Sequence, residues 1–377
     1  MGLSSSNTRP SRNSKELPVV HLVEEFTESE IRFTIFTMTT VMSPMPKQQT
    51  KAASAALKER VGGKGGQTMK AIYLDRKAGT EALVAGEIPR PKPQAGEVLV
   101  KVHATSVMPT ELQWFTTFNL PFGEPRPYPI VLSHEFSGVI ESVGAKVNGF
   151  NVGDEVFGLN DWFINGAQAE FCVVKATGLA RKPKSLVHVQ AAVVPIAALT
   201  AWQGLFNKGK LERGQRILIH GAAGGVGCFA VQLAHWRGAH VIASVSSGSL
   251  GFARFLGADE GIDYRTTRFE EVVKDVDVVF DCVGGETLER SWGVLAKGGR
   301  MVTVATQSAG IADQRARDAF MLVRADGSQL AEIANLIDAG ELQVFVGTIF
   351  PLIAARIAYT RARSGLRRGK VALRVAE

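Results

Sequence analysis

Cysteine is scarce in this chain of 377 residues, which carries Cys172, Cys228 and Cys282 and no Cys-x-x-Cys pair. Three cysteines in this arrangement exclude a small secreted fold stapled by disulfides, and they exclude a cysteine-rich zinc module. Free thiols persist in a reducing environment, so we expect an intracellular protein and place it in the cytoplasm.

Long apolar stretches are also missing. A membrane-spanning helix needs about 18 consecutive apolar residues, and the longest runs here, 191–202 and 31–42, are shorter and interrupted by polar residues. Their length is that of helices in a protein core. We therefore expect no membrane span.

A strong charge imbalance is absent over the whole chain, where 43 Lys and Arg face 36 Asp and Glu. The C-terminal segment 356–377 is the exception, since its six arginines and one lysine face only Glu377. Nucleic-acid sites usually add stacking aromatics, and this segment has only Tyr359. We expect a solvated helix face rather than a nucleic-acid site, and binding of RNA or a partner stays an open alternative.

The chain divides into three regions that differ in sequence pattern. Residues 1–68 are polar without a sustained period, which predicts a disordered extension. Residues 69–190 carry short strands between turns, such as the alternating 98–104, and predict a β-rich domain. From 191 onward strands alternate with helices, beginning with strand 216–220, helix 225–237 and strand 241–243 and continuing through helix 286–296. This alternation predicts an α/β fold with a doubly wound parallel sheet.

A glycine-rich turn joins the first strand and helix of that α/β region. A pyrophosphate is bound by backbone N–H groups at a helix N-terminus, and glycines allow the tight turn and the close approach. Their position between a strand and a helix predicts a dinucleotide site. The segment consists of Gly221, Ala222, Ala223, Gly224, Gly225, Val226 and Gly227.

The end of the second strand indicates which dinucleotide is bound. An acidic residue there binds the ribose 2′-hydroxyl of NAD, but this chain has Ser246 and Ser247 instead. Serine hydroxyls can donate to a 2′-phosphate, and Tyr264, Arg265 and Arg254 could close around it. NADPH is therefore the expected cofactor. Helix capping by the serines and a plain surface role for Arg254 stay open.

Several motifs occur together and in order. They are the opening Met69-Lys70-Ala71, the turn 149–158, Leu199-Thr200-Ala201-Trp202, the glycine-rich turn, Leu256-Gly257-Ala258-Asp259, Asp281-Cys282-Val283-Gly284-Gly285 and Gly369-Lys370-Val371. Taken together, residues 69–377 resemble the medium-chain dehydrogenase/reductase superfamily and are most similar to its zinc-independent quinone oxidoreductase branch.

The resemblance implies a domain organisation. A GroES-like catalytic domain would span 69–190 and be completed by 338–377, with a Rossmann NADPH-binding domain at 191–337 between them. It also implies a homodimer joined through the sheet edge near 300–308. Around the cofactor it places Thr200, the glycine-rich turn, Ser246, Ser247, Tyr264, Val283, Val304, Ala305, Thr306, Phe320, Met321 and Leu322.

The resemblance also allows a test for zinc. Zinc-dependent relatives use a Cys, a His-Glu pair and a further ligand, and this chain has Met108, His134-Glu135 and Ile196 at these places. A thioether is a poor zinc donor, and a catalytic site needs about three Cys, His or carboxylate ligands. We expect no metal, with His134 as an internal hydrogen-bonding residue.

A site without zinc favours substrates in which the negative charge that develops on oxygen needs little stabilisation. In an enone or quinone the developing charge is delocalised, so modest hydrogen-bond donors suffice. We expect NADPH-dependent hydride transfer to a quinone or an α,β-unsaturated carbonyl. Solvent competes as proton donor with Gln113, Tyr128 and His134, and the pocket candidates are Met108, Trp114 and Trp162, with Phe115 and Phe163 beside them.

Two alternatives stay open. One is a zinc-type alcohol dehydrogenase or carbonyl reductase, which stoichiometric zinc would indicate. The other is a cofactor-binding protein that contacts RNA or a partner through its basic C-terminal segment, which salt-sensitive retention on nucleic acid would indicate.

Overall fold

The computed structural model describes residues 66–121, 123–305, 313–364 and 368–376. Most of the predicted N-terminal extension, residues 1–65, and the predicted cofactor residue Thr306 lie outside these ranges. In the described ranges no helix is both long and apolar enough to cross a membrane.

The first part of the chain is β-rich, as predicted. Strands β1 and β2 form an antiparallel hairpin, and the short β4 pairs with β1. A seven-stranded sheet has the order β14-β15-β3-β5-β6-β8, with β7 paired to β3. The bounds are β1 Thr68–Leu74, β2 Leu83–Pro89, β3 Glu97–Ser106, β4 Ile130–Val131, β5 Glu135–Val143, β6 Glu155–Leu159, β7 Phe171–Lys175, β8 Leu179–Arg181, β14 Val346–Pro351 and β15 Lys370–Arg374.

A second sheet of five strands is parallel throughout, which confirms the predicted α/β fold class. Its order is β11-β10-β9-β12-β13, so the chain leaves β9 first on one side and then on the other. A ligand crevice forms outside the carboxyl ends of strands at such a switch point. The bounds are β9 Arg216–His220, β10 His240–Val245, β11 Glu260–Asp263, β12 Val276–Asp281 and β13 Leu295–Thr303.

Helices cover this parallel sheet and connect its strands. Ile217, Leu218 and Ile219 of β9 are fully buried, as expected for a strand covered on both faces. The helices are α1 Phe115–Phe118, α2 His188–Ala191, α3 Pro195–Trp202, α4 Gly227–Trp236, α5 Leu250–Phe255, α6 Phe269–Val272, α7 Glu286–Ser291, α8 Gln314–Ala319, α9 Gly327–Asp338 and α10 Ala355–Arg363.

Two predicted helices are shorter in the structure. Helix α4 begins at Gly227 rather than at 225, because the turn from Gly221 closes on itself before the helix begins, with the Gly224 N–H donating to the Gly221 carbonyl at 2.9 Å. Helix α7 ends at Ser291 rather than at 296, and a 3₁₀ turn at Trp292–Val294 leads directly into β13. Apolar spacing alone does not distinguish these tight turns from helix.

Candidate cofactor and substrate site

The glycine-rich turn lies between the carboxyl end of β9 and the first turn of α4. Gly221 has a φ of +68°, a conformation that favours glycine. A Cβ on Gly227 would overlap the carbonyl oxygen of Gly221 and the backbone of Ala222, so helix and strand approach this closely only with glycine there. The predicted residues 221–227 thus form one continuous backbone cradle at the switch point of the sheet.

The end of β12 forms the neighbouring wall of this cradle. A Cβ on Gly221 would lie 3.3 Å from Cys282 Cβ and 3.4 Å from Val283 Cγ2. Asp281 is fully buried and accepts the Val283 N–H at 2.9 Å and the Gly284 N–H at 3.0 Å. This carboxylate shapes the turn after β12. The motif 281–285 is recognisable in the sequence, but the role of Asp281 becomes visible only in the structure.

A third wall forms where β13 ends. Thr303 makes a parallel bridge with Phe320, and the Met321 N–H donates to the Thr303 carbonyl at 3.0 Å. The Thr303 hydroxyl also donates to Asp281 Oδ2 at 2.7 Å, which joins the ends of β12 and β13. The structure therefore brings together the predicted cofactor residues Val283, Val304, Ala305, Phe320, Met321 and Leu322.

The end of β10 carries the serines that the sequence placed near a 2′-phosphate. Strand β11 runs parallel to β10 with Asp263 opposite Val245, so Tyr264 and Arg265 follow beside Ser246 and Ser247. The Ser247 hydroxyl donates to Asp263 Oδ2, and the Arg265 N–H donates to Asp263 Oδ1 at 3.1 Å. Ser247 and Arg265 thus converge on a carboxylate that the sequence did not indicate, whereas Arg254 is exposed on α5 and no described contact brings its side chain to them.

The predicted residue Thr200 lies in α3 with 6% of its surface exposed. Its hydroxyl donates to the Ile196 carbonyl one turn earlier at 2.6 Å, so it is engaged within the helix. The Ile196 N–H donates in turn to Glu135 Oε2 at 2.8 Å. Helix α3 is thus tied to the β-rich domain directly below the residue predicted to face the cofactor.

Glu135 is the centre of a buried ionic cluster that sequence analysis missed. Lys370 Nζ and the Ser106 hydroxyl both donate to Glu135 Oε1. Glu135 is fully buried and the Lys370 side chain is 10% exposed. A Cβ on Gly225 would lie 3.1 Å from Lys370 Cγ, so the stem of this lysine packs against the cradle. One ion pair therefore connects β5, β15, α3 and the glycine-rich turn.

His134 lies in a second buried cluster. Its Nδ1 donates to Asn160 Oδ1 at 2.8 Å, and its Nε2 is 3.5 Å from Glu111 Oε1. Burial lowers the pKa of His134 to about 4 and raises the pKa of Glu111 to about 8, so both are uncharged near neutral pH. Glu111 also accepts the Ser133 N–H at 2.8 Å and the Tyr359 hydroxyl at 3.4 Å.

The aromatic pocket candidates line up beside this cluster. Trp162 lies 5.2 Å from the His134 ring, and Trp114 meets Trp162 edge-on at 5.4 Å between ring centroids. Met108 and Trp162 both pack against the apolar core that contains Ile196. The structure thus brings Trp114 and Trp162 together beside His134 as one tryptophan wall, and it packs Met108 and Trp162 against the same apolar core.

No described contact places the other two proton-donor candidates, Gln113 and Tyr128, at this wall. Gln113 is exposed at the end of a short 3₁₀ turn. Tyr128 is 40% exposed, and its pKa is raised by burial and by the charge of Asp75. Neither side chain has a described hydrogen bond that holds it toward the tryptophans.

A zinc ion does not fit the donor set at this place. Met108 offers a thioether, Ile196 offers no side-chain donor, and both ring nitrogens of His134 face protein partners at 2% exposure. Over the described ranges, no group of three or more His, Cys, Asp or Glu side chains is arranged to hold a metal.

A surface groove of about 820 Å³ lies elsewhere, and Val187, Gln190, Phe345, Ile349 and Arg361 are among the residues that line it. It shares no residue with the cradle or with the tryptophan wall. The groove is therefore distinct from the candidate cofactor site at the strand ends and the glycine-rich turn.

Comparison with known proteins gives the family. The model of the alcohol dehydrogenase GroES-like domain matches residues 94–184, and that of a zinc-binding dehydrogenase matches residues 256–373. The mitochondrial NAD(P)H oxidoreductase RTN4IP1 of Mus musculus is 34% identical over 323 residues, covering 74% of this chain and 82% of that protein. The chloroplast envelope quinone oxidoreductase homolog of Arabidopsis thaliana is 28% identical over 326 residues, covering 81% and 98%.

These relatives correct one expectation. The cytoplasmic location expected from the free cysteines is wrong, because the relatives named here are mitochondrial or chloroplast proteins. The physical reason is that unpaired thiols report a reducing environment, which the interior of an organelle can also provide. Cysteine content therefore did not distinguish between these compartments.

A solved structure agrees with the sequence relatives. The quinone oxidoreductase from Coxiella burnetii superposes with a TM-score of 0.73 at 30% sequence identity, covering 82% of this chain and 100% of that one. Both domain types, the parallel-sheet crevice and these relatives lead to one conclusion. The chain belongs to the medium-chain dehydrogenase/reductase superfamily, in its quinone-oxidoreductase-like branch, and is an oxidoreductase that uses a nicotinamide cofactor.

Proposed function

We propose that this oxidoreductase uses NADPH to reduce quinones or α,β-unsaturated carbonyl compounds and that it does so without catalytic zinc. The observation that carries the proposal is the contrast within the site: the dinucleotide cradle is complete, whereas the neighbouring donor set does not fit a metal. When bound, NADPH supplies the hydride. The domain division at 69–190 with 338–377 and at 191–337 belongs to the same proposal.

The cradle binds the pyrophosphate through backbone groups. The turn 221–227 leads directly into the N-terminus of α4, a ten-residue helix whose dipole favours negative charge at that end. Gly227 keeps α4 close to β9, and Asp281 holds the turn after β12 beside it. These contacts fix the position of the cofactor before any substrate is bound, which lowers the entropic cost of reaching a reactive geometry.

At the adenosine end, the absence of a carboxylate on β10 supports NADPH. Ser246 and Ser247 follow β10, and Arg265, which follows β11, brings an exposed positive charge next to them. A guanidinium and hydroxyl groups suit a phosphate better than a neutral ribose diol. The negative charge of Asp263, which accepts the Ser247 hydroxyl, opposes this preference.

The substrate wall supports a flat conjugated ligand. Trp114 and Trp162 present apolar ring surface beside His134, and rings of this kind stack on flat conjugated compounds. Trp114 Nε1 is buried and has no hydrogen-bond partner among the described residues. A substrate carbonyl oxygen that reached this indole N–H would satisfy it, and it would receive the modest stabilisation that an enone or quinone needs.

The final proton is proposed to come from solvent. His134 Nδ1 donates to Asn160, and His134 Nε2 faces Glu111, so neither nitrogen is available to a substrate without rearrangement. Its low pKa also leaves the ring without a proton to donate at neutral pH beyond the one held by Asn160. Water at the open side of the site meets the requirement with no further residue.

Homodimerisation through β13 is proposed on family grounds. Strand β13 is the last strand in the order of the described parallel sheet, so its outer edge can pair with a second copy. The predicted contact segment 300–308 extends beyond this strand, and residues 306–308 lie outside the described ranges.

A substrate panel tests the proposal. Oxidation of NADPH and of NADH would be followed with quinones, enones, aldehydes and simple ketones, using the full chain. We expect turnover with quinones or enones, a preference for NADPH, and no measurable reduction of simple ketones. Faster turnover of alcohols or ketones than of enones would contradict the substrate class. A preference for NADH would contradict the cofactor assignment alone.

A further inference from the structure

The carboxylate of Asp263 stands at the adenosine end of the cradle, where the sequence has no acidic residue on β10. It reaches this place from the neighbouring strand, because β10 and β11 pair in parallel with Val245 opposite Asp263. The Tyr264 N–H donates to the Val245 carbonyl at 3.1 Å, which continues the pairing beyond the strand and fixes the backbone on both sides of Asp263.

Asp263 takes the only proton that the Ser247 side chain can donate. The Ser247 hydroxyl donates to Asp263 Oδ2, while Asp263 Oδ1 accepts the Arg265 N–H at 3.1 Å. A serine hydroxyl has one hydrogen and two acceptor positions. As long as its hydrogen is directed to Asp263, the Ser247 oxygen can accept from a ribose hydroxyl but cannot donate to a phosphate.

The charges around this pair oppose each other. Arg265 is exposed, and its guanidinium lies 5.8 Å from the centre of the Tyr264 ring. Its positive charge attracts a 2′-phosphate, whereas the negative charge of Asp263 repels one. A ribose diol carries no charge and can donate to a carboxylate, so Asp263 favours NADH where Arg265 favours NADPH.

We infer that Asp263 is a specificity-determining residue that reduces the preference for NADPH over NADH. It does so in two ways: its charge repels the 2′-phosphate, and its carboxylate keeps the Ser247 hydroxyl from donating to that phosphate. This inference rests on the proposed function in one respect, namely that a nicotinamide dinucleotide binds with its adenosine end here. It does not depend on which compound is reduced.

Two substitutions separate the two effects. Asp263→Asn removes the charge but keeps an oxygen that can accept the Ser247 proton. Asp263→Ala removes the charge and also frees the hydroxyl. We expect the ratio of the NADH dissociation constant to the NADPH dissociation constant to rise about tenfold in Asp263→Asn, the equivalent of one good charge interaction, and to rise further in Asp263→Ala.

Ser247→Ala, made alone and together with Asp263→Ala, completes a double-mutant cycle. In the wild-type chain it should weaken NADPH binding less than it does in the Asp263→Ala background, because the hydroxyl is already directed to Asp263. In the Asp263→Ala background it should weaken NADPH binding by several-fold, because the freed hydroxyl would then be a phosphate donor. The control is Glu260→Gln at the opposite end of β11, where Glu260 pairs with His240 at 2.7 Å.

Both dissociation constants are measured directly by calorimetry on the full chain, without any substrate, and thermal melting verifies the fold of each variant. A ratio that stays at the wild-type value in both Asp263 variants, or that moves equally in Glu260→Gln, would overturn the inference while leaving the proposed function in place. Failure of the wild-type chain to bind either nucleotide would contradict the proposed function and the inference together.

Discussion

The cofactor cradle is shaped by backbone atoms, whereas the cluster around Glu111 is held together by a side chain. In the cradle, Gly221 and Gly227 are needed because backbone lies against backbone, and an added methyl group would collide. Around Glu111, the geometry depends on one buried carboxyl group, which accepts the Ser133 backbone N–H and the Tyr359 hydroxyl and lies 3.5 Å from His134 Nε2. A cradle made of backbone tolerates many neighbouring sequences, whereas a buried polar cluster fails when any one member is lost.

The ion pair of Lys370 and Glu135 joins these two regions, because Lys370 packs against Gly225 of the cradle and Thr105 hydrogen-bonds both the Glu135 carbonyl and the Ser133 hydroxyl. Breaking this ion pair should have the largest effect. Lys370→Met keeps the stem against Gly225 but leaves the Glu135 carboxylate buried without its cation. We expect a loss of about 3–5 kcal/mol in the free energy of unfolding, measured by denaturant titration. NADPH affinity should also fall, because Lys370 packs against the cradle.

A second variant isolates the charge. The double variant Lys370→Met, Glu135→Gln removes both charges, so most of the lost stability should return. If the double variant were as unstable as Lys370→Met alone, the loss would come from packing, and the ion pair would not be what joins the two regions.

The cradle itself should respond to a single methyl group. Gly227→Ala forces α4 away from β9, since the new Cβ would overlap the Gly221 carbonyl. We expect NADPH affinity to fall about ten- to hundredfold, corresponding to a strain of about 1–3 kcal/mol. Gly251→Ala is the matched control, because a Cβ at Gly251 meets no atom within 4 Å. Equal losses in the two variants would show that the close approach is unimportant.

The Glu111 cluster should be visible in the pH dependence of stability. The pKa of Glu111 is raised from 4.5 to about 8 by burial, so between these values the unfolded chain has lost a proton that the folded chain keeps. The contribution of Glu111 to the free energy of unfolding is therefore largest below pH 4.5, and it falls as pH rises toward 8. The slope is about 1.4 kcal/mol for each pH unit.

The titration of three buried histidines determines the pH range in which the Glu111 slope can be measured. His134, His188 and His220 have pKa values lowered from 6.5 to about 4, mainly by burial, and they make stability rise with pH below 6.5. Between pH 6.5 and 8 the Glu111 slope stands alone among these groups. Glu111→Gln should remove it, as measured by urea unfolding at several pH values. An unchanged slope in that variant would mean that Glu111 is already ionised in the folded chain.

The same contrast explains what the sequence could and could not predict. The turn 221–227 was predictable because the requirement for glycine is local and lies between a strand and a helix. The pairing of Lys370 with Glu135 spans 235 positions, and no local pattern specifies it. Asp263 was overlooked because the acid was sought at the end of β10, whereas parallel pairing brings it from β11. Asp281 and Glu111 were missed because their role is to accept buried N–H groups, which only the folded backbone shows.

The central claim is that hydride transfer to a conjugated carbonyl proceeds here without a metal. Its most direct test is single-turnover oxidation of bound NADPH by a quinone or an enone, measured on protein whose zinc content has been determined and again after dialysis against a chelator. We predict sub-stoichiometric zinc and the same rate before and after chelation. Stoichiometric zinc, together with a rate that is lost on chelation and restored by added zinc, would contradict this account.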